Sequence, residues 1–253
     1  MNKSAKISLR QIIITGLFAA ICYVALYFKI PVPSPVGNPF LHLGNMFVLL
    51  AAMLFGGMVG GLSGSIGMGL FDIMNGWASS ALKTFVLKFG IGIVTGVVVS
   101  RGKRDGAKSP VKAIALASVV ALILGCSILI IRILYGNQIV IGESTLVISP
   151  VLYLFTLIIG VFLAVIAIVS KKLKIDLQYA VLGASAGIGF NLVGEFLFGA
   201  IKLMLLGSAA IPAMLSSAIS LPATLINGTF SIAGAIALYL PLSRATQRAG
   251  LRF

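Results

Sequence analysis

Residues 44–77 read GNMFVLLAAMLFGGMVGGLSGSIGMGLFDIMNGW, and how often this stretch crosses a bilayer decides the fold. As a single helix at about 1.5 Å per residue it would run about 51 Å, far beyond a hydrocarbon core of about 30 Å. Glycines stand at 56, 57, 60, 61, 64, 67 and 69. Two short helices meeting near Gly56–Gly61 are the better reading. Charge supports it. The next span, Ala81–Ser100, ends in RGKRDGAK, Arg101–Lys108. With the basic segment Met1–Arg10 inside and two crossings between 44 and 77, RGKRDGAK also falls inside. A single crossing would put it outside, against the positive-inside rule.

The rest of the chain agrees with a membrane. Of 253 residues, 59% are hydrophobic and 9% charged, where soluble domains average about 25% charged. The mean hydropathy is +1.14. Too little polar surface exists to face water, so a soluble domain and extended disorder are both excluded. The net charge of +14 would suggest nucleic acid in a soluble protein. Here the basic residues sit in blocks between apolar runs. Cys22 and Cys126 lie inside such runs and read as small buried side chains.

Outward from residues 44–77, the first span is Gln11–Phe28, with no cleavable leader before it. IPVPSPVGNPFLHLGN, Ile30–Asn45, is a proline-rich, ordered or semi-rigid outer loop, since proline lacks an N–H and fixes φ. Later spans are Ala113–Ile133, Val151–Ser170, Tyr179–Ile201 and Ala213–Leu240. The basic links at Lys171–Lys174 and Arg244–Arg252 fall inside. The expected fold is an all-α polytopic membrane protein of about eight spans, both termini cytoplasmic, in one transmembrane domain. Within it, residues 9–100 form the first four helices, 113–170 a further pair and 178–242 the last pair.

An ionisable side chain at mid-membrane costs roughly 2.5–3.5 kcal/mol on insertion scales, so it should be paired or line a cavity. Asp72, Lys83, Lys88 and Glu195 are such groups, and the topology puts all four in the outer half. With Asn75, Trp77, Asn191, and Asn38, His42 and Asn45 of the outer loop, they are expected to converge on a pocket for a small polar ligand. Asn191 and Glu195 share one helical face. Plainer roles stand beside this one. Asp72 can simply neutralise Lys83 or Lys88. Lys83 can snorkel, Trp77 can anchor at the interface, Glu195 can be a protonated structural group, and His42 can be a surface histidine. Small-xxx-small pairs, Gly16/Ala20, Gly57/Gly61 and Gly60/Gly64, allow close backbone approach between helices, within the chain or with a partner. GLSG, residues 61–64, matches a protease string, but the single histidine is in an outer loop and Ser63 near the inner side. There is no Walker A, no H-E-x-x-H and no metal-holding carboxylate cluster. No cofactor and no enzyme are expected, and ATP-driven work would need another chain.

IPVPSP, the 41–77 stretch LHLGN…NGW and KTFVLKFGIGIVTGVV (83–98) together resemble the N-terminal four helices of S components, the substrate-binding membrane subunits of energy-coupling factor (ECF) transporters. The stretch from Gly194 to Leu240 is similar to their last two helices. The resemblance implies a vitamin-binding subunit with an outward-facing pocket gated by the first outer loop. It also implies a transmembrane coupling subunit and two ATPase subunits as partners, in a bacterial cytoplasmic membrane. Gly16 and Ala20 match the family motif that contacts the coupling subunit. Asp72–Trp77, Lys88 and Glu195 match its pattern as well. S components usually have six helices, so one pair is additional: either Ala113–Ser170 is inserted, the favoured reading, or the core ends at Ser170. A pyridoxine-like or pyrimidine cargo is favoured, with riboflavin open. The rival readings are a self-sufficient carrier using Asp72 or Glu195 as a proton relay, and an assembly or sensor protein without cargo.

Overall fold

Gly56 is where the 44–77 stretch breaks. Its φ of 99° and ψ of 163° suit a residue without a Cβ, and it separates α2 (Gly44–Phe55) from α3 (Gly57–Met74). The computed structural model describes residues 8–31, 40–136, 138–141, 144–147 and 150–250. The remaining helices are α1 (Leu9–Ala25), α4 (Ala78–Gly102), α5 (Val111–Tyr135), α6 (Pro150–Ser170), α7 (Ile175–Leu205), α8 (Ala210–Ile219) and α9 (Leu221–Arg248). Strands β1 (Lys29–Pro31) and β2 (Phe40–His42) pair antiparallel between α1 and α2, and β3 (Gln138–Ile141) and β4 (Ser144–Val147) pair between α5 and α6. The protein is an all-α polytopic membrane protein with two small hairpins. Among the described residues, five helical segments are long and apolar enough to cross a bilayer: Gly57–Met74, Ala78–Gly102, Val111–Tyr135, Ile175–Leu205 and Ala210–Arg248, the last made of α8 and α9 together.

Two expectations change, at the last span and at Cys126. The span expected at Ala213–Leu240 is two helices, broken at Ser220 before Leu221-Pro222. Proline has no N–H to give the preceding turn and is tolerated at a helix start. The first of the two helices in 44–77 has only 12 residues, about 18 Å, shorter than the hydrocarbon core. Cys126 is exposed while Cys22 is buried.

The chain divides into two compact units, Met1–Asp105 with Tyr179–Phe253, and Gly106–Gln178. In the first, glycines set both the spacing and the direction of the helices. A Cβ at Gly92 or Gly96 would run into the backbone at Gly61 or Gly57, so α3 and α4 touch backbone to backbone and run antiparallel. Gly60 lies on Ala52 and Gly64 on Val48, so α2 and α3 are antiparallel too. Gly67 lies on Ala19 and Cys22, and Ser63 Oγ donates to the Thr15 carbonyl at 3.1 Å, so α1 and α3 run parallel. The chain therefore reverses direction twice between α1 and α3, as two passes through residues 44–77 require. The Gly57/Gly61 and Gly60/Gly64 pairs are spent on these internal contacts. Lipid tails attract apolar side chains as well as protein does, so close backbone approach is what holds such helices together.

Along α4 and α7, Gly102 meets Tyr179, Val99 meets Gly183, Thr95 meets Gly187 and Leu87 meets Gly194, which makes α7 antiparallel to α4. Met46 packs on Gly234, fixing α9 beside α2. Arg10 donates to the Gly250 carbonyl at 2.9 Å, so the start of α1 and the end of α9 lie on one side of this unit.

In the second unit, α5 and α6 form an antiparallel pair. Gly125 faces Leu157, Gly160 faces Leu122, and Ser118 Oγ donates to the Gly160 carbonyl at 2.8 Å. Ser109 Oγ donates to Gln178 Oε1 at 2.6 Å, so the two ends of this unit sit side by side. Cys126 is exposed on the outward side of this pair.

Candidate functional site

The buried stripe of α4 runs through Thr84, Leu87, Lys88, Ile91, Gly92, Thr95, Gly96 and Val99, at helical spacing. It brings Thr84 and Lys88 between α3 and α7. Lys88 stands ten residues into α4, about 15 Å from its start and so near mid-bilayer. It is 5% exposed. Its Nζ donates to Asn191 Oδ1 of α7 at 3.0 Å, and Asn191 is 2% exposed. Asp72, 6% exposed, accepts a 2.5 Å hydrogen bond from Thr84 Oγ1. One turn toward the outer end, Lys83 Nζ and Glu195 Oε2 form a 2.7 Å ion pair that is partly open to solvent.

Asp72, Lys83, Lys88 and Glu195 all act on one another electrostatically, so the four ionisable groups occupy one region. Two positive charges face two negative ones. Such neutrality suits an uncharged ligand, because an unbalanced charge at this depth is expensive. The pairing differs from the simple neutralisation considered from sequence. Lys83 is matched to Glu195, and the direct partner of Asp72 is a hydroxyl.

His42, on β2, reaches the same region. Its Nδ1 accepts from the Gly44 N–H at 3.2 Å, which leaves the ring proton on Nε2. Burial first, and the nearby Lys88 charge second, push its pKa down to about 3. The ring is therefore neutral at ordinary pH and is not a plain surface histidine. Asn45 is buried, and its Oδ1 has no hydrogen-bond partner among the described residues. A buried amide oxygen left without a donor costs about 1–3 kcal/mol, so it is a place where a ligand N–H or a water belongs.

Asn75 and Trp77 are not among these buried groups. The Asn75 amide donates to the Phe71 carbonyl of its own helix at 2.9 Å, beside an edge-to-face cluster of Tyr23, Tyr27 and Phe71. Trp77 is 42% exposed. Its backbone N–H donates to the Asp72 carbonyl at 2.8 Å, making it a support for the α3–α4 turn. Asn38 lies outside the described residues. Gly16 and Ala20 are exposed on α1, and an added Cβ at Gly16 meets nothing within 4 Å among the described residues.

Two residues of this region escaped the sequence reading. Thr84 lies one turn before Lys88 on the same stripe, and that spacing was the available signal. Asn227 reads as a glycosylation sequon misplaced in a span. It lies on the buried stripe of α9, with Ala223, Ser231, Ala235 and Tyr239 at steps of four, and its Oδ1 accepts from the His42 backbone N–H at 3.2 Å.

Residues 6–169 match the family described as "ECF-type riboflavin transporter, S component". That segment covers α1–α6 and leaves Asn191, Glu195 and Asn227 outside. A Pyrococcus woesei protein described as "Uncharacterized protein in gap 3'region" is 36% identical over 77 residues, 30% of this chain and 50% of that protein. The chain thus spans about half the length of this curated relative. No solved structure matches.

Proposed function

The chain belongs to the S components of ECF-type riboflavin transporters, and on that premise we propose that its cargo is riboflavin, bound at the Asp72–Lys88–Asn191 cluster. S components are vitamin-binding membrane subunits of ECF transporters and not enzymes. The carrying observation is the convergence of Lys88, Asn191, Asp72 and Thr84, with the neutral His42, in the outer half of α3, α4 and α7. Riboflavin is an uncharged heteroaromatic with an imide edge that both donates and accepts, and with a hydroxylated side chain. Buried amides and a balanced set of charges suit that edge. The partly open Lys83–Glu195 pair suits hydroxyls. The sequence favoured pyridoxine-like and pyrimidine compounds; the family match moves riboflavin ahead of them.

The rest of the reading follows the family. A coupling subunit seats on the exposed Gly16/Ala20 face of α1, and two ATPase subunits supply the energy, in a bacterial cytoplasmic membrane. On the fold, the six-helix core is read as α1–α4 with α7 and the α8–α9 segment, with α5–α6 inserted, against a family match that runs through α5–α6 and ends before α7. The two-unit division and the adjacent ends of the α5–α6 unit support that assignment.

A thermal-shift series on the purified protein tests the cargo. A ligand that prefers the native state raises Tm with the logarithm of its concentration over Kd, so at equal concentration the tighter ligand gives the larger shift. Riboflavin is expected to raise Tm at micromolar concentration, with pyridoxine and aminopyrimidine precursors well behind. A larger shift with either rival replaces the cargo. No shift with any of them removes the vitamin-binding reading of this cluster.

A further inference from the structure

Asn227 and His42 are 185 residues apart in sequence and meet through one hydrogen bond, Asn227 Oδ1 accepting from the His42 N–H at 3.2 Å. Both ends of this contact are fixed by packing. Gly228 lies against Ile188 of α7 and Gly234 against Met46 of α2, so α9 is held at a set distance from both helices. Ser231 Oγ donates to the Asn227 carbonyl at 2.8 Å one turn on. On the other side, His42 stands at the end of the β1–β2 pairing, opposite Lys29. Its ring serves as the cap of α2. Leu43 at the N-cap offers no side-chain hydrogen bond, and the Gly44 N–H goes to His42 Nδ1 instead. First-turn N–H groups of a helix need such a partner. One peptide thus links α9, β2, α2 and the polar cluster, since the ring feels the Lys88 charge.

We propose that Asn227 is a positioning residue of the binding site, holding the His42 peptide so that the imidazole keeps one orientation and one tautomer beside Lys88. This rests on reading the cluster as the vitamin site. Asn227 need not touch the cargo itself. It acts through His42, and it explains why an amide stands on the buried stripe of a membrane helix, where a leucine would cost less.

His42 is the chain's one histidine, so ¹⁵N-histidine labelling gives a single ring to follow in detergent-solubilised full-length protein. The wild type is expected to show the Nε2–H tautomer and a slowly exchanging His42 amide. Asn227→Leu keeps the branched, four-heavy-atom shape of the side chain and removes the acceptor. It is expected to average the two ring nitrogens and speed His42 amide exchange at least about tenfold. Asn227→Asp keeps the acceptor and is expected to preserve both signals. Asn227→Ala is the second loss variant should the leucine disturb folding, with exchange at α3 amides as the control for a native fold. Identical His42 signals in all variants overturn the proposal. Riboflavin titration is the second readout. At least about tenfold weaker binding in Asn227→Leu, restored in Asn227→Asp, supports the positioning role, whereas equal affinity alongside altered His42 signals overturns it. A wild type that binds no riboflavin removes the cargo reading, and the His42 signals then decide the positioning claim by themselves.

Discussion

Lys88→Met separates a residue kept for binding from one kept for the fold. In the free protein the change removes an ammonium near mid-membrane, which relieves roughly 2.5–3.5 kcal/mol on insertion scales. It also leaves Asn191 Oδ1 without its 3.0 Å donor, at a cost of about 1–3 kcal/mol. The methionine fills nearly the same volume beside Gly64. With a neighbouring carboxylate taking up a proton to keep the cluster neutral, the two terms nearly cancel. Tm of the free protein is therefore expected to stay within about 3 °C of the wild type, or to rise, at the usual few degrees per kcal/mol for a chain of this size. Binding has no such compensation. A charge-assisted hydrogen bond to the ligand contributes about 1.5–3 kcal/mol, so riboflavin affinity should fall about 10- to 150-fold. Quenching of riboflavin fluorescence gives Kd, and thermal unfolding in the same detergent gives the stability arm. A variant that loses many degrees while keeping its affinity would refute the reasoning, because Lys88 would then be a structural partner of Asn191.

Three other outcomes follow from particular contacts. Gly92→Val should destabilise by about 1–3 kcal/mol or more, since its Cβ meets the Gly61 backbone, which cannot turn aside; Gly189→Ala, with open space around it among the described residues, should be neutral or stabilising by up to about 1 kcal/mol. Comparison of the two by thermal unfolding checks that backbone contact, and not glycine content, holds α3 to α4. Gly16→Leu combined with Ala20→Leu should abolish uptake in cells and leave riboflavin Kd unchanged; loss of binding as well would mean that this face supports the fold. His42 sets a pH dependence of stability. Its folded pKa of about 3 lies below the ordinary value of about 6.5, so above pH 6.5 both states are neutral and it contributes no slope. As pH falls from 6.5 toward 3 the unfolded chain takes up the proton first, and stability falls by at most about 1.4 kcal/mol per pH unit. Thermal unfolding of wild type and His42→Gln between pH 4 and 8 should show the shallower acid limb in the variant.

The sequence alone determined the class of protein, the two short helices within residues 44–77 and the face shared by Asn191 and Glu195. These follow from quantities local to the chain: an apolar run too long for one span, the placement of basic residues between spans, and 3.6-residue periodicity. The roles of Asn75 and Trp77 were out of reach, because a residue near a charged one in sequence can still turn to another neighbour, as Asn75 does toward Phe71. Thr84 and Asn227 were overlooked because a single hydroxyl or amide on an apolar stripe gains its meaning from what lies opposite. Only the tertiary structure decided that Lys83 faces Glu195, that Lys88 faces Asn191, and that Asn227 holds a peptide 185 residues away. Pairing across helices depends on how closely the backbones approach. In a bilayer that distance is set by which glycines meet, a relation between distant segments that no local pattern encodes.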